Sequence, residues 1–288
     1  MKTVLITGVG RGLGRFTALK LAQAGHRIIL SARTLPAAEE TARWIRTQAP
    51  HANLVPVGID LSSFQEIRES AARLSHETLH VLFHIAGIMQ QSPTRRLTPD
   101  GLEETLAVNA LAPLLLTYEL LPCLKRAGSS HVITVSSRLH LPKSIGPEVN
   151  FRFDDPNLDS DYHPTVAYKN SKLAVLWWTY TLAEKLGPQG IGAHATCPGF
   201  VPETASASVH GLYRFMLKHV LPLMPFAQTI EGATTHFAEL VEHPPQQSGG
   251  FWAEGKAIPS SPESLDRQKA ARFWEWACST LGISGNWH

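Results

Sequence analysis

The chain has 288 residues, 43% hydrophobic and 17% charged, with a formal net charge of +2. That balance fits an ordered globular protein with a substantial core, and the lack of any Lys/Arg run argues against nucleic acid as a main partner. No segment approaches the roughly 18 unbroken apolar residues of a membrane span, and three well-separated cysteines (Cys123, Cys197, Cys278) point to reduced thiols in the cytoplasm.

Val4-Leu5-Ile6 is a short β-branched apolar run that predicts a buried strand. It leads into Thr7-Gly8-Val9-Gly10-Arg11-Gly12-Leu13-Gly14, and the spacing of Phe16, Leu19 and Leu21 then predicts a helix ending at Gly25. Strand, glycine turn and helix is the setting in which a backbone approaches a pyrophosphate at a helix N-terminus. Gly8, Arg11, Gly12, Leu13 and Gly14 are therefore candidate dinucleotide contacts. A second strand is expected at residues 27–32. Where a ribose 2′-hydroxyl would call for an acid, the chain has Ala32-Arg33. Arg33 with Arg11 suits a 2′-phosphate, so the expected cofactor is NADP(H).

A helix is expected from Pro36 to Thr47 and a strand over residues 54–57, followed by Asp60-Leu61 as candidate adenine contacts. A helix over 64–74 leads to a strand over 81–85, then Ala86-Gly87, also candidate cofactor contacts. After a turn at Thr98-Pro99-Asp100-Gly101, one long helix is expected from Leu102 to Leu124, carrying Asn109. Residues 132–135 form the next strand, ending at Ser136-Ser137, and 138–164 is polar, Pro-bounded loop. Its acids, Asp154, Asp155, Asp159 and Asp161, read as a solvated face, and no metal site is expected. A helix over 165–186 carries Tyr168 and Lys172, one turn apart on one face. A fixed positive charge beside a phenol favours the phenolate, which makes such a pair useful for exchanging a proton with an alcohol or carbonyl oxygen. The spacing alone arises readily by accident.

The strand over 191–196 precedes Cys197-Pro198-Gly199. Residues 203–228 read as a substrate lid, 229–241 as a helix, 250–252 as a short strand and 264–281 as a last helix. Alternation of strands and helices predicts one domain over 1–288. Its fold class is α/β, a Rossmann-type doubly wound, mostly parallel seven-stranded sheet in the order 3-2-1-4-5-6-7 with helices on both faces. Ligands then lie beyond the carboxyl ends of the strands.

With these residues placed, the sequence resembles the short-chain dehydrogenase/reductases nearly end to end. Thr7-Gly8, Gly12-Leu13-Gly14 matches that family's TGxxxGxG, and Asn109, Ser137, Tyr168 and Lys172 fall where it has its Asn/Ser/Tyr/Lys tetrad. Thr98-Pro99-Asp100-Gly101-Leu102-Glu103, Val108-Asn109-Ala110, Ser171-Lys172-Leu173-Ala174 and Ala271-Arg272-Phe273-Trp274-Glu275 are similar to its retinol dehydrogenase-like branch. The resemblance implies that Tyr168 exchanges the proton and that Lys172 lowers its pKa and binds the nicotinamide ribose. It also implies that Ser137 holds the substrate oxygen and that Asn109 keeps a water near Lys172. It adds Pro198, Gly199, Val201 and Thr204 to the candidate cofactor contacts. The sequence departs from the family's pattern in three places. Ile85 stands where the family has an asparagine after the fourth strand. Glu203 occupies the position of a hydroxyl that meets the nicotinamide carboxamide, with Thr204 one residue late. The chain also begins at its first strand, where the branch often has a membrane-binding extension.

The expected activity is an NADP(H)-dependent interconversion of carbonyl and alcohol on a mostly apolar small molecule, with Leu139, Leu141, Phe200, Leu212, Tyr213, Phe215 and Met216 near the pocket. The alternatives are an NADP(H)-binding protein without net turnover and a biosynthetic cyclase or isomerase. The long helices offer a face for a homodimer, although the 138–164 segment and the last helix also suit a monomer.

Overall fold

The computed structural model describes residues 1–203 and 227–287. The expected lid lies mostly outside the described residues, as do Thr204, Leu212, Tyr213, Phe215 and Met216. In chain order the strands are β1 (Thr3–Thr7), β2 (Arg27–Ala32), β3 (Leu54–Gly58), β4 (Val81–His84), β5 (Ser130–Val135), β6 (Ile191–Cys197), β7 (Gly250–Ala253) and β8 (Lys256–Ala257). The helices are α1 (Gly12–Gln23), α2 (Leu35–Arg46), α3 (Phe64–Arg73), α4 (Glu104–Leu106), α5 (Ala112–Glu119), α6 (Leu121–Arg126), α7 (Pro164–Leu186), α8 (Ile230–Glu242) and α9 (Arg267–Leu281).

The sheet runs β3-β2-β1-β4-β5-β6-β7-β8. The first seven strands in that order are parallel, as the alternating pattern predicts. The eighth was not expected. It pairs antiparallel with β7 (Trp252↔Ala257, Ala253↔Lys256) across Glu254-Gly255, both at positive φ. Two left-handed residues are what a two-residue hairpin with the right twist requires, and a two-residue polar strand leaves no periodicity to read.

Strand residues alternate between two cores, one on each side of the sheet. Val4, Ile6, Ile28, Leu30, Phe83 and Ile133 face α1, α2 and α8, whereas Leu5, Ile29, Leu82 and Val132 face α3, α5 and α7. Burial on both faces explains why these strands read as unbroken apolar runs. Helix α9 packs outside α7, where Phe151, Phe153, Trp177, Phe273 and Trp276 form edge, stacked and tilted ring contacts. Trp177 of α7 is thus covered within the chain by Phe273 of α9 and by Phe151 and Phe153.

The expected helix over 102–124 is broken. Ala107–Leu111 is a π-turn between α4 and α5, and Leu120 separates α5 from α6. Pro113 and Pro122 account for both breaks, because each lacks an N–H and crowds the carbonyl four residues back, at Asn109 and Tyr118. The last helix is also shorter than expected: Pro262–Leu265 is a 3₁₀ turn, and Asp266 caps α9 by accepting from Gln268 N and Lys269 N. Acids of the 138–164 loop are engaged locally. Asp155 pairs with Arg152 and accepts from Asp159 N and Ser160 N, and Asp159 pairs with Arg95. Among the described residues no helix is long and apolar enough to cross a membrane.

Candidate active site

Each candidate residue among those described lies just beyond the carboxyl end of a parallel strand or on a helix facing that edge. After β1, Gly8 has φ +76° and Gly12 φ +54°, conformations that a side chain resists. A Cβ on Gly8 would stand 2.7 Å from Ala86 Cα, and one on Gly14 would stand 2.3 Å from the Gly8 carbonyl oxygen. Gly10, by contrast, has open space around it. The glycines thus let the β1 turn close onto the β4 turn and onto α1, with a free backbone surface at the N-terminus of α1. Such a cradle fits a pyrophosphate. Thr7, which sequence reasoning gave no role, ties the turns together: its Oγ1 accepts from Ile85 N (3.2 Å) and Ala86 N (3.2 Å). Ile85 is half-buried against the α1/α2 core.

Gly8→Ala is expected to cost about 2–4 kcal/mol through left-handed strain and the clash with Ala86 backbone, read as a lowered thermal midpoint and weaker dinucleotide binding. Gly10→Ala should leave the thermal midpoint close to wild type; equal midpoints for both variants would show that the close approach does not matter.

Arg11 caps α1 from an extended backbone, and Arg33 follows β2; both are exposed, and neither pairs with a carboxylate among the described residues. Asp60 Oδ1 accepts from Ser62 N (2.9 Å) and Ser62 Oγ (2.7 Å), and Leu61 is buried. Arg15, which sequence reasoning passed over, lies over the Trp44 ring at 4.1 Å.

Beyond β4 and β5 the remaining candidates converge. Asn109, presented by the π-turn, clasps the Ile88 backbone: Oδ1 accepts from Ile88 N (2.8 Å), while Nδ2 donates to Ile88 O (2.8 Å) and to Ser171 Oγ (3.0 Å). A Cβ at Gly87 would stand 3.3 Å from Asn109 Oδ1 and 3.4 Å from Lys172 Nζ. Lys172 Nζ donates to the Val135 carbonyl (2.9 Å) and lies 5.6 Å from the centre of the Tyr168 ring. Ser136, missed as a candidate although it doubles Ser137, donates to the Lys172 carbonyl (2.8 Å) and so ties β5 to α7. The Ser137 hydroxyl lies near enough to the Tyr168 phenol to lower its pKa. Gly199, at φ +77°, packs against Gln228 and donates to Cys197 Sγ (3.4 Å); Val201 is buried nearby.

The electrostatics differ from the expectation drawn from spacing. Burial pushes Tyr168 up to about 12, partly offset by the Ser137 hydroxyl. Burial also brings Lys172 down to about 8. The ammonium is spent on a backbone carbonyl, so in this state desolvation dominates the phenol and the neighbouring cation does not. Cys197 is buried beside the pair, and burial raises its thiol pKa.

Residues 2–146 match the short chain dehydrogenase family. The chain is 34% identical over 285 residues to retinol dehydrogenase 12 of Mus musculus, covering 98% of this chain and 87% of that one. It is 30% identical over 289 residues to retinol dehydrogenase 13 of Homo sapiens, covering 98% and 85%. Among solved structures, an uncharacterised protein from Mycobacterium Paratuberculosis superposes with TM-score 0.73 at 27% identity, covering 99% of this chain and 94% of that one. An NADPH-bound carbonyl reductase from chicken fatty liver shares the fold, with TM-score 0.65 at 22% identity and coverage of 90% and 99%. This chain belongs to the short-chain dehydrogenase/reductase family and is retinol dehydrogenase-like: an oxidoreductase with a Rossmann-like fold that binds a nicotinamide cofactor.

Proposed function

We propose that the protein is an NADP(H)-dependent oxidoreductase that reduces a carbonyl to an alcohol on a mostly apolar small molecule. The observation that carries this reading is the meeting of the Tyr168 phenol with the Ser137 hydroxyl, backed by Lys172 and Asn109, beside the glycine cradle. In this reading Ser137 orients the substrate oxygen and Tyr168 gives it a proton. Asn109 fixes the Ile88 backbone and the edge of the Lys172 pocket, and Lys172 binds a ribose hydroxyl. Bound NADPH would supply the hydride, and Gly8, Arg11, Gly12, Leu13, Gly14, Arg33, Asp60, Leu61, Ala86, Gly87, Pro198, Gly199, Val201 and Thr204 would hold the cofactor. Burial that keeps Tyr168 protonated suits the reductive direction, in which a neutral phenol donates. Half-buried Leu139 and Leu141 and exposed Phe200 support an apolar substrate. Three unpaired, buried cysteines support a cytoplasmic setting. The packing of α9 on α7 favours a monomer over the homodimer.

Arg11 and Arg33 support NADP(H) over NAD(H). Charge-assisted contacts to a phosphate are worth about 1.5–3 kcal/mol each. The variant carrying Arg11→Ala and Arg33→Ala is therefore expected to bind NADPH at least about tenfold more weakly, with NADH affinity little changed. The test follows reduced-cofactor absorbance with NADPH and NADH over a panel of apolar aldehydes and ketones, alongside binding titrations. Wild-type preference for NADH would sink the cofactor assignment, and failure to turn over any carbonyl or alcohol would favour a cofactor-binding role.

A further inference from the structure

The residue after Tyr168 is a lysine that the proton transfer does not use. Lys169 is fully buried, yet among the described residues its Nζ donates only to Ser144 Oγ (2.8 Å) and the Pro147 carbonyl (2.6 Å). Burial lowers its pKa, and nearby Glu148 opposes that shift. Taking an ammonium out of water costs several kcal/mol unless its donors are satisfied, so this lysine is a demanding choice for a helix position where an apolar residue would pack without cost.

Its partners lead to the active site. Ser144 Oγ donates to the Leu139 carbonyl (2.9 Å), and Leu139 N donates to Ser137 Oγ (3.2 Å). Ser137 Oγ is thus held by Leu139 N beside the Tyr168 phenol, where it partly offsets the effect of burial on that group. A second fixed point lies on the same turn. His140 is buried; its Nδ1 donates to the Ser137 carbonyl, and its Nε2 accepts from Ser261 N (3.1 Å). Those two bonds require the neutral ring with its hydrogen on Nδ1. The ring also meets Phe251 edge-on at 5.1 Å. The turn that carries Ser137 is therefore tied to α7 at one end and to the segment before α9 at the other.

We propose that Lys169 and His140 are positioning residues that lock the 138–144 turn, so that the Ser137 hydroxyl faces Tyr168 and Leu139 and Leu141 form a fixed apolar wall beside it. The proposal rests on reading Ser137 and Tyr168 as the pair that handles the substrate oxygen. Neither residue touches the reacting atoms; both act through the turn. Misplacing such a group by a fraction of an ångström is enough to slow the chemistry without weakening cofactor binding.

The test uses Lys169→Met, which keeps the stem and removes the charge, Ser144→Ala, which cuts the relay with little change in volume, their double variant, and His140→Phe. Expected for Lys169→Met, Ser144→Ala and His140→Phe is a fall in kcat of about fivefold or more, with NADPH affinity within about twofold of wild type. The double variant should be no worse than Lys169→Met alone, because both changes break one chain of contacts. Hydrogen–deuterium exchange of peptides covering 137–147 should rise in the variants while β1 and β4 peptides stay protected. Unchanged kcat and exchange in Lys169→Met and Ser144→Ala would overturn the proposal. A loss of NADPH binding together with exchange across the whole sheet would also overturn it, since that marks a general stability role. If the wild type turns over no substrate, the reductase reading fails on its own, and the exchange of 137–147 still decides whether the lock exists.

Discussion

Tyr168→Phe is expected to lower kcat for the proposed carbonyl reduction by about a thousandfold, roughly 4 kcal/mol of transition-state stabilisation, with NADPH affinity expected to stay within a few-fold of wild type. The two effects separate because the phenol and the glycine cradle are built by different parts of the sheet edge. Gly8, Gly12 and Gly14 shape the cradle after β1, whereas Tyr168 stands on α7 against Ser137 after β5. Phenylalanine keeps the ring and loses only the hydroxyl, so neither a cavity nor a change of charge follows. What remains is Ser137 beside a bare ring and no acid for the nascent alkoxide. Burial holds the Tyr168 phenol protonated up to about 12, so the wild-type reduction rate should not fall through loss of this proton anywhere near neutral pH. Steady-state kinetics and a fluorescence titration of NADPH check both halves. Full turnover by Tyr168→Phe would remove this residue from the mechanism, and parallel loss of NADPH binding would make it a structural residue.

The parts of this site that were legible in the sequence are those in which backbone geometry forces a residue type. Gly8 and Gly12 need positive φ, and Gly14 has no room for a Cβ, so the turn is written as glycine. The strands were legible because both faces are buried, which leaves apolar runs bounded by turn residues. Asn109 was found by its place in a pattern, but the π-turn that presents it was not; the signal was Pro113, which denies Asn109 its ordinary helical partner. The pKa of Tyr168 was misjudged for a related reason. Spacing on a helix reports which side chains are neighbours but not how dry the helix is. With Leu173, Ala174, Trp177 and Trp178 all buried, α7 is enclosed on most of its circumference, and desolvation outweighs a cation that is itself bonded to Val135. Lys169 and His140 were missed because their partners lie far along the chain or in a loop; Ser261 is 121 residues from His140. No local pattern encodes such contacts. The resemblance puts Glu203 where a hydroxyl would meet the nicotinamide carboxamide, and Thr204 lies outside the described residues.

Acid is expected to unfold the protein at the upper edge of the range in which ordinary carboxylates titrate, because two buried histidines, His84 and His194, and the half-buried His131 refuse protons in the native state. His84 lies at the end of β4, with Nε2 bonded to Thr117 Oγ1 (2.9 Å) and Nδ1 without a partner; burial brings its pKa down to about 3. His131 and His194 stack on neighbouring strands with their ring nitrogens 3.3 Å apart, and burial brings both down to about 4, helped by Lys2 for His131 and by His131 for His194. In the unfolded chain each histidine titrates near 6.5. Above that value both states are neutral and the stability is whole. As pH falls below it, the unfolded state binds protons that the native state does not, so stability drops until the native values are reached. Each group contributes up to about 1.4 kcal/mol per pH unit, so three together approach about 4 kcal/mol per unit below roughly pH 5.5. Against a typical total of about 5–15 kcal/mol, that slope places cooperative unfolding at roughly pH 4–5. Glu103 acts in the opposite sense. Its carboxylate caps α4 while burial raises its pKa, so the native state takes up that proton first and offsets part of the loss. Urea unfolding between about pH 7 and pH 5, above the ordinary carboxylate range, isolates the histidine contribution. The extrapolated stability should fall steeply with an unchanged m-value, and His131→Phe should reduce the slope by about one proton while removing the stacked ring pair. A stability that stays flat from pH 7 to pH 5 would mean that these rings take up protons in the folded protein as readily as in the unfolded chain.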